Sequence, residues 1–423
     1  MRSFAAVIAA LALGQAASGA ASAWTTLTSG VGNTVVSSVI VTHAGSALVS
    51  WDAPVGGTIS VSRGNAPGKT IVSGDPVAGR TQLVQQPNGA IQLYFPNAAG
   101  VGRMTSTDDG QTWTGPIQTQ SHTVGPVEGA AVAPDGTPYF SQDGTGFVNV
   151  FRGLNGESVN NVFLRCCGYA ESLAVDTNGL AQVAFFSNAD PDGTFLYEPL
   201  GVDLSPGAST ALKPTSAHID RVPLVADHSG TTFMAWPPGN PATGVTVVPF
   251  RAGSPAGDGV DFRGSFVGGD PHMALTVDTT DRLWIVWTGG GAVHAARSRS
   301  HGQHFGASVS VPVTGTMYQM SAAGTAGSPG TVDVLVNTGS NLIQQALQPG
   351  LSVKVTRKVK TVGQKKIVTR FAQALDDGFG VPTASFRIGG RTIHANAAGK
   401  ARVPAGSGKA AAPGYVGASF KVR

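Results

Sequence analysis

Charge is scarce in this chain. Only 12% of its 423 residues are Asp, Glu, Lys or Arg, and four are glutamates: Glu128, Glu157, Glu171 and Glu198. Glycine, at 58 residues, is about twice its usual share. That balance excludes coiled coils and helical bundles, and it suits many short strands joined by tight turns. Beyond the N-terminal stretch, no apolar run is long enough to cross a bilayer as a helix. The nine histidines show no metal-ligand spacing, and no nucleophile elbow, P-loop or dinucleotide fingerprint is present. No cofactor and no metal are expected. Cysteine is limited to the adjacent pair Cys166 and Cys167. An intrachain bridge between them could only be a strained vicinal disulfide. The alternatives are two thiols or a crosslink to a second chain.

The N-terminus has the form of a secretory leader. Arg2 gives a positive start, an apolar stretch follows from Phe4 to about Leu13, and Ala21-Ser22-Ala23 is a small-residue cleavage site. Three segments are expected: a leader at 1–23, a large domain at 24–350 and a small one at 351–423. Charge divides at the second boundary. Residues 351–423 hold 14 Lys and Arg against 2 acids, a net +12, while the other 14 basic and 22 acidic residues leave 1–350 at −8.

A repeat of about 47 residues runs through the large domain. Each copy has a turn carrying Asp or Asn and Gly, then a strand rich in aromatic and β-branched residues. The turns precede SALVSW, AIQLYF, TPYF, LAQVAFF, TTFMAW, RLWIVW and TVDVLV, with anchors at 45, 89, 136, 179, 230, 281 and 330. The spacing suits four-stranded propeller blades. The fold expected is all-β: a seven-bladed β-propeller, six-bladed as the alternative, followed by a small sandwich. The last repeat has room for three strands, and the stretch 24–40 can supply the fourth, closing the ring and hiding sheet edges.

Residues 106–113 read Ser-Thr-Asp-Asp-Gly-Gln-Thr-Trp. Gly110 can take a left-handed backbone position, Asp108 can accept turn N–H groups, Ser106 and Thr112 can satisfy others, and Trp113 can wedge between sheets. The octet resembles the Asp-box of sialidase-like (BNR-repeat) β-propellers. A degenerate copy at 298–305 keeps Ser298, Gly302 and Phe305, with Ser300 in the Asp place and His304 in the Thr place. The resemblance implies a structural box, remote from any active site. Sialidases use an arginine triad, a Tyr nucleophile assisted by Glu, and an Asp acid/base. Their F-R-I-P motif ahead of the first box is missing. Phe151-Arg152-Gly153-Leu154 is the nearest string, and it follows the good box.

The tail carries Asp376-Asp377-Gly378-Phe379-Gly380-Val381-Pro382 and then ASFRIGGRTIHANAAGKARV. That run resembles bacterial immunoglobulin-like and carboxypeptidase-regulatory-like modules, which implies a small Ig-like β-sandwich. At net +12 it suits an anionic cell-envelope polymer or acidic glycan. It lacks the interleaved aromatics that would stack bases, so nucleic acid is not expected.

In a propeller the blade-to-blade loops face the usual ligand side, opposite the Asp-box turns. Those loops are expected to ring the channel mouth with Arg80, Glu128, Arg165, Tyr169, Glu171, His218, Asp220, Arg221, Asp270, His272 and Tyr318. Two functions follow. One is a secreted, non-catalytic protein that binds a glycan or protein there. The other is a sialidase-like glycoside hydrolase or lyase using acids of the same mouth, with Tyr318 and Glu171 or Glu128 as a nucleophile pair. Asp190-Pro191-Asp192-Gly193 reads as a turn between strands, with a hard-cation loop as its alternative.

Overall fold

The computed structural model describes residues 23–33, 35–53, 57–64, 66–74, 76–121, 125–144, 147–162, 168–187, 194–212, 221–238, 244–263, 272–302, 304–325 and 329–423. Residues 1–22 of the leader, Arg165, Cys166, Cys167, Asp190, Pro191, Asp192, Gly193, His218, Asp220 and Asp270 lie outside these, as does the side chain of Tyr169. Every regular element among the described residues is a strand, and no helix there is long and apolar enough to cross a membrane.

Seven antiparallel sheets follow in chain order. Their first strands are Ser38–Val41, Gln82–Gln85, Val127–Val132, Gly168–Val175, Leu224–Ala226, Met273–Val277 and Gln319–Thr325. These strands touch one another in sequence, and the seventh touches the first, so the sheets form a closed ring. The seventh sheet takes its outer strand from the N-terminus: Thr25–Gly32 pairs antiparallel with Gly339–Leu347, as the sequence reading expects.

The second strands are buried on both faces, which is why they read as continuous apolar runs and not as alternating ones. Ala47–Asp52, Ile91–Asn97, Ala181–Ser187 and Thr232–Trp236 expose none of their residues. Aromatics bolt neighbouring sheets together. Tyr94, Phe140 and Phe151 stack at 4.6 and 4.7 Å across the second and third sheets. Tyr197 and Phe250 stack at 4.0 Å across the fourth and fifth. Each such pair contributes about 1 kcal/mol beyond its burial.

All seven anchors have a left-handed backbone. Gly45, Gly89, Gly136, Gly179, Gly230 and Gly330 have φ between 75° and 88°, and Asp281 takes the same place at φ 58°. The acids of these turns accept the turn's own N–H groups. Asp176 Oδ1 accepts from Asn178 and Leu180, Asp227 Oδ1 from Ser229 and Thr231, and Asp278 Oδ1 from Thr280 and Arg282.

The 106–113 turn joins the third and fourth strands of the second sheet. Thr112 donates its N–H to Asp108 Oδ1 at 2.8 Å and its hydroxyl to Oδ2 at 2.6 Å. Those bonds, the side-chain one foremost, pull the exposed Asp108 down to about 2. Gly110 donates to Ser106 Oγ, and Trp113 packs on the core shared by the first two sheets. A Cβ on Gly110 would meet Leu48 of the first sheet at 2.8 Å. The 298–305 turn repeats the plan on the sixth sheet. A Cβ on Gly302 would meet Phe233 of the fifth sheet at 2.4 Å, and Ser298 bridges Phe305. The residue before each glycine, Asp109 or His301, has φ near +60° and grips the preceding sheet. Asp109 pairs with Arg63, whereas His301 Nδ1 meets Asp227 Oδ2 at 2.8 Å, so the latch is kept with the acid on the opposite partner.

Residues 352–422 build two further sheets. One pairs Ser352–Val362 with Lys365–Asp376 and adds Phe379–Gly380 and Lys400–Arg402; the other contains Arg391–His394, Ser385–Ile388, Gly406–Ala411 and Ala418–Val422. Phe386, Ile388, Ala372 and Ala374 share one core between them. This module docks on the sixth sheet through its only two acids, both buried. Asp376 pairs with Arg297 and lies 3.7 Å from Arg282, while Asp377 lies 3.9 Å from Arg299, whose guanidinium stacks 3.4 Å over Phe379.

Candidate functional site at the channel end

The start of each first strand, the end of each second strand and the start of each third strand share one end of the ring, opposite the 106–113 and 298–305 turns. Arg80, Glu128, Glu171, Arg221, His272 and Tyr318 are all at that end. Their setting is more enclosed than a ring of loops. Glu128 and Glu171 lie inside first strands, and Arg80, Glu128, Glu171 and His272 are buried. Ring closure brings the first strands so close that side chains at their starts pack against each other.

Arg80 Nη1 meets Glu128 Oε2 at 2.7 Å. The main chain of Glu128 is fixed as well, since Gln82 Nε2 donates to its carbonyl at 3.1 Å. Glu171 is fully buried, and neither of its carboxyl oxygens has a hydrogen-bond partner among the described residues. Burial pushes its carboxyl well above the usual range, and the nearby Glu128 and Asp143 push it the same way. Arg221 lies alongside and donates from Nε to Ser172 Oγ at 2.8 Å. Burial, then repulsion from Arg80, lowers it to about 10.

Two acids of this end escaped the sequence reading. Asp143 is raised to about 6 by burial, against the pull of Arg80. Asp52 is raised to about 7 by burial, although the Gly79 N–H donates to its Oδ2 at 2.9 Å. Asp52 ends its second strand, as Asn97 does, and Asp143 is one residue short of the end of its own. Aligning the repeats on that position would have exposed the polar set.

Arg80 and Arg221 thus stand among Glu128, Glu171 and Asp143, and burial pushes the Glu171 and Asp143 carboxyls toward their neutral forms. His272 Nε2 donates to the Met317 carbonyl at 2.7 Å, fixing the chain just before Tyr318. Tyr318 rests on Gly339 and stays 36% exposed. Among the described residues Glu171 makes no hydrogen bond to Tyr318, one of the two pairings the sequence offers for a nucleophile. No group of acids, histidines or cysteines among the described residues is placed to hold a metal ion.

Arg221 and Ser172 also line a cavity of about 390 Å³ that runs down the ring's axis between the first strands. Gln82, Ser38, Thr276 and Ser321 give it a polar wall; Leu224, Met273 and Met320 make apolar patches. Its size is that of a small-ligand site. The cluster therefore forms one end of a channel that can take a small polar group, with Arg221 as the charged side chain common to both.

No protein-family model and no curated protein matches the chain. Among solved structures it is similar to virginiamycin B lyase from Staphylococcus aureus, at 11% identity and a TM-score of 0.50, covering 77% of this chain and 99% of that one. A catalytically inactive form of that enzyme with quinupristin gives 13% identity and 0.51, covering 77% and 98%. A streptogramin B lyase gives 12% and 0.50, covering 77% and 97%. At such identities the likeness speaks for the fold alone, and with the closed ring of four-stranded sheets it makes this chain a β-propeller.

Proposed function

We propose that the chain is a secreted, non-catalytic binding protein. In this reading a seven-bladed propeller, sialidase-like in its 106–113 turn, takes a glycan or a protein segment at the channel end. An Ig-like basic module follows it, and the leader directs export. One observation carries the binding reading: the two glutamates at the channel end are withdrawn from solvent. Glu171 is fully buried and Glu128 is held by Arg80, whereas Arg221 and Tyr318 keep exposed surface. A reacting carboxylate must come within hydrogen-bond reach of its substrate. An arginine lining a polar channel and a tyrosine 36% exposed at its end suit recognition.

The uncommitted Glu171 carboxyl supports a second reading. Burial and the neighbouring Glu128 push its pKa up, the direction a general acid needs, and a glycosidase or lyase pairs such an acid with a second carboxylate roughly 5–10 Å away. One experiment addresses both. The secreted protein is screened on a glycan array and against fluorogenic glycosides, beside Tyr318→Ala and Glu171→Gln. Binding lost in Tyr318→Ala, kept in Glu171→Gln and unaccompanied by hydrolysis supports the binding protein. Hydrolysis abolished by Glu171→Gln overturns it in favour of the enzyme.

A further inference from the structure

The C-terminal module exposes cation without anion. Its 14 Lys and Arg are set against two acids, and both acids, Asp376 and Asp377, are buried in the contact with the sixth sheet. All of the module's outward-facing charge is therefore positive. Much of it is concentrated on one ribbon. Ser352–Val362 and Lys365–Asp376 pair along their whole length, from Ser352↔Leu375 to Val362↔Lys365. The last cross-link to the rest of the module is the Val403 N–H to the Arg370 carbonyl. From Lys358↔Thr369 outward the two strands have only each other, so the ribbon projects about 14 Å further.

The ribbon's side chains do not suit a plain polyelectrolyte site. Lys358, Lys360, Lys365 and Lys366 are all exposed. Between them Val359 is 52% exposed, Val362 52% and Ile367 48%. A phosphate-rich polymer in water gains little from aliphatic side chains. A lipid surface gains from both kinds, with lysines at the headgroup phosphates and aliphatics in the acyl boundary.

We propose that the tip of this ribbon, residues 358–367, is a docking site for an anionic phospholipid surface. Charge complementarity selects the leaflet, and the ribbon tip enters it with Val362 and Ile367 on one face and Val359 on the other. The remaining basic residues of the module add attraction at longer range, screened by salt.

The test is co-sedimentation of the full chain with vesicles of phosphatidylcholine alone or mixed with phosphatidylglycerol, and separately binding to soluble polyphosphate. Wild type is expected to bind the mixed vesicles and to leave the neutral ones. Replacing the four lysines by glutamine is expected to weaken vesicle binding by a hundredfold or more, at about fivefold per charge. Val359→Ser with Ile367→Ser is expected to cost about tenfold on vesicles and nothing on polyphosphate. Val359→Phe with Ile367→Phe is expected to bind vesicles more tightly, a gain that misfolding cannot produce. Equal binding to neutral and mixed vesicles overturns the proposal. So does vesicle binding that neither aliphatic pair alters, which would make the ribbon a polyanion site.

Discussion

Arg297 on the sixth sheet and Asp376 in the C-terminal module form an ion pair that water barely reaches, at 1% and 5% exposure. The same carboxylate accepts the Tyr415 hydroxyl at 2.9 Å, and Arg297 lies 5.5 Å over the Trp284 ring. Asp376→Ala leaves a buried guanidinium without its counter-ion. It is expected to cost about 3–5 kcal/mol and to loosen the module from the ring. Urea unfolding of the full chain checks this. An unchanged midpoint would show that the pair adds nothing net.

A buried acid fixes a pH signature. Burial raises Glu171 well above 4.5 and Asp52 from 3.8 to about 7. A carboxyl whose pKa is higher folded than unfolded binds its proton more tightly in the native state. Its contribution is full below the unfolded value and is lost as pH rises through the folded one. Glu171→Gln removes that loss. The variant is expected to gain stability relative to wild type as pH climbs from about 4 past 7, with the unfolding midpoint measured across that range. Parallel profiles would mean that Glu171 ionises in the native state as readily as in the unfolded chain.

Glycine acts for two different reasons in the turns. At Gly89 nothing lies within reach of an added Cβ, and only φ of 88° stands against it. Gly89→Ala is expected to cost about 1 kcal/mol. At Gly302 the same Cβ would lie 2.4 Å from the Phe233 ring, so the turn must also lift off the fifth sheet. Gly302→Ala is expected to cost about 2–4 kcal/mol. Thermal unfolding of the two variants side by side tests the ranking, and equal costs would dismiss the packing role.

Asp281 sits where the other six anchors are glycine. Its strained backbone is held by His228, whose N–H and Nδ1 lie 2.9 and 2.6 Å from Asp281 Oδ1. Asp281→Gly relieves the strain and loses the contacts, and is expected to stay within about 1 kcal/mol of wild type. Asp281→Ala keeps the strain while losing the contacts, and is expected to be the less stable by about 1 kcal/mol. The reverse order in denaturant melts would show that the backbone there is at ease.

The ring was legible because its repeat is written in local chemistry. Turn acids, left-handed glycines and apolar second strands recur at a readable spacing, and each follows from backbone constraints within a few residues. The channel end was legible only in part. Arg80, Glu128, Glu171 and Arg221 stand near the start of inner strands, which topology can locate. Their burial, and the arrival of Asp52 and Asp143 beside them, depends on closure between sheets about 45 residues apart in sequence, which leaves no trace in any short window. The buried Asp376 and Asp377 are a similar case. In sequence they open an exposed-looking Asp-Asp-Gly turn, and only docking shows that they neutralise arginines of another unit.

The clasp between Thr25–Gly32 and Gly339–Leu347 sets the order of biosynthesis. The strand made first has its partner made last in the ring, so the N-terminal segment must wait while more than three hundred residues are translated. When Gly339–Leu347 is finally made its edge is open, and a neighbouring molecule's waiting N-terminal strand fits it as well as its own. Crowded, fast synthesis therefore favours chains exchanged head to tail, whereas dilute or slow synthesis favours the self-closed monomer.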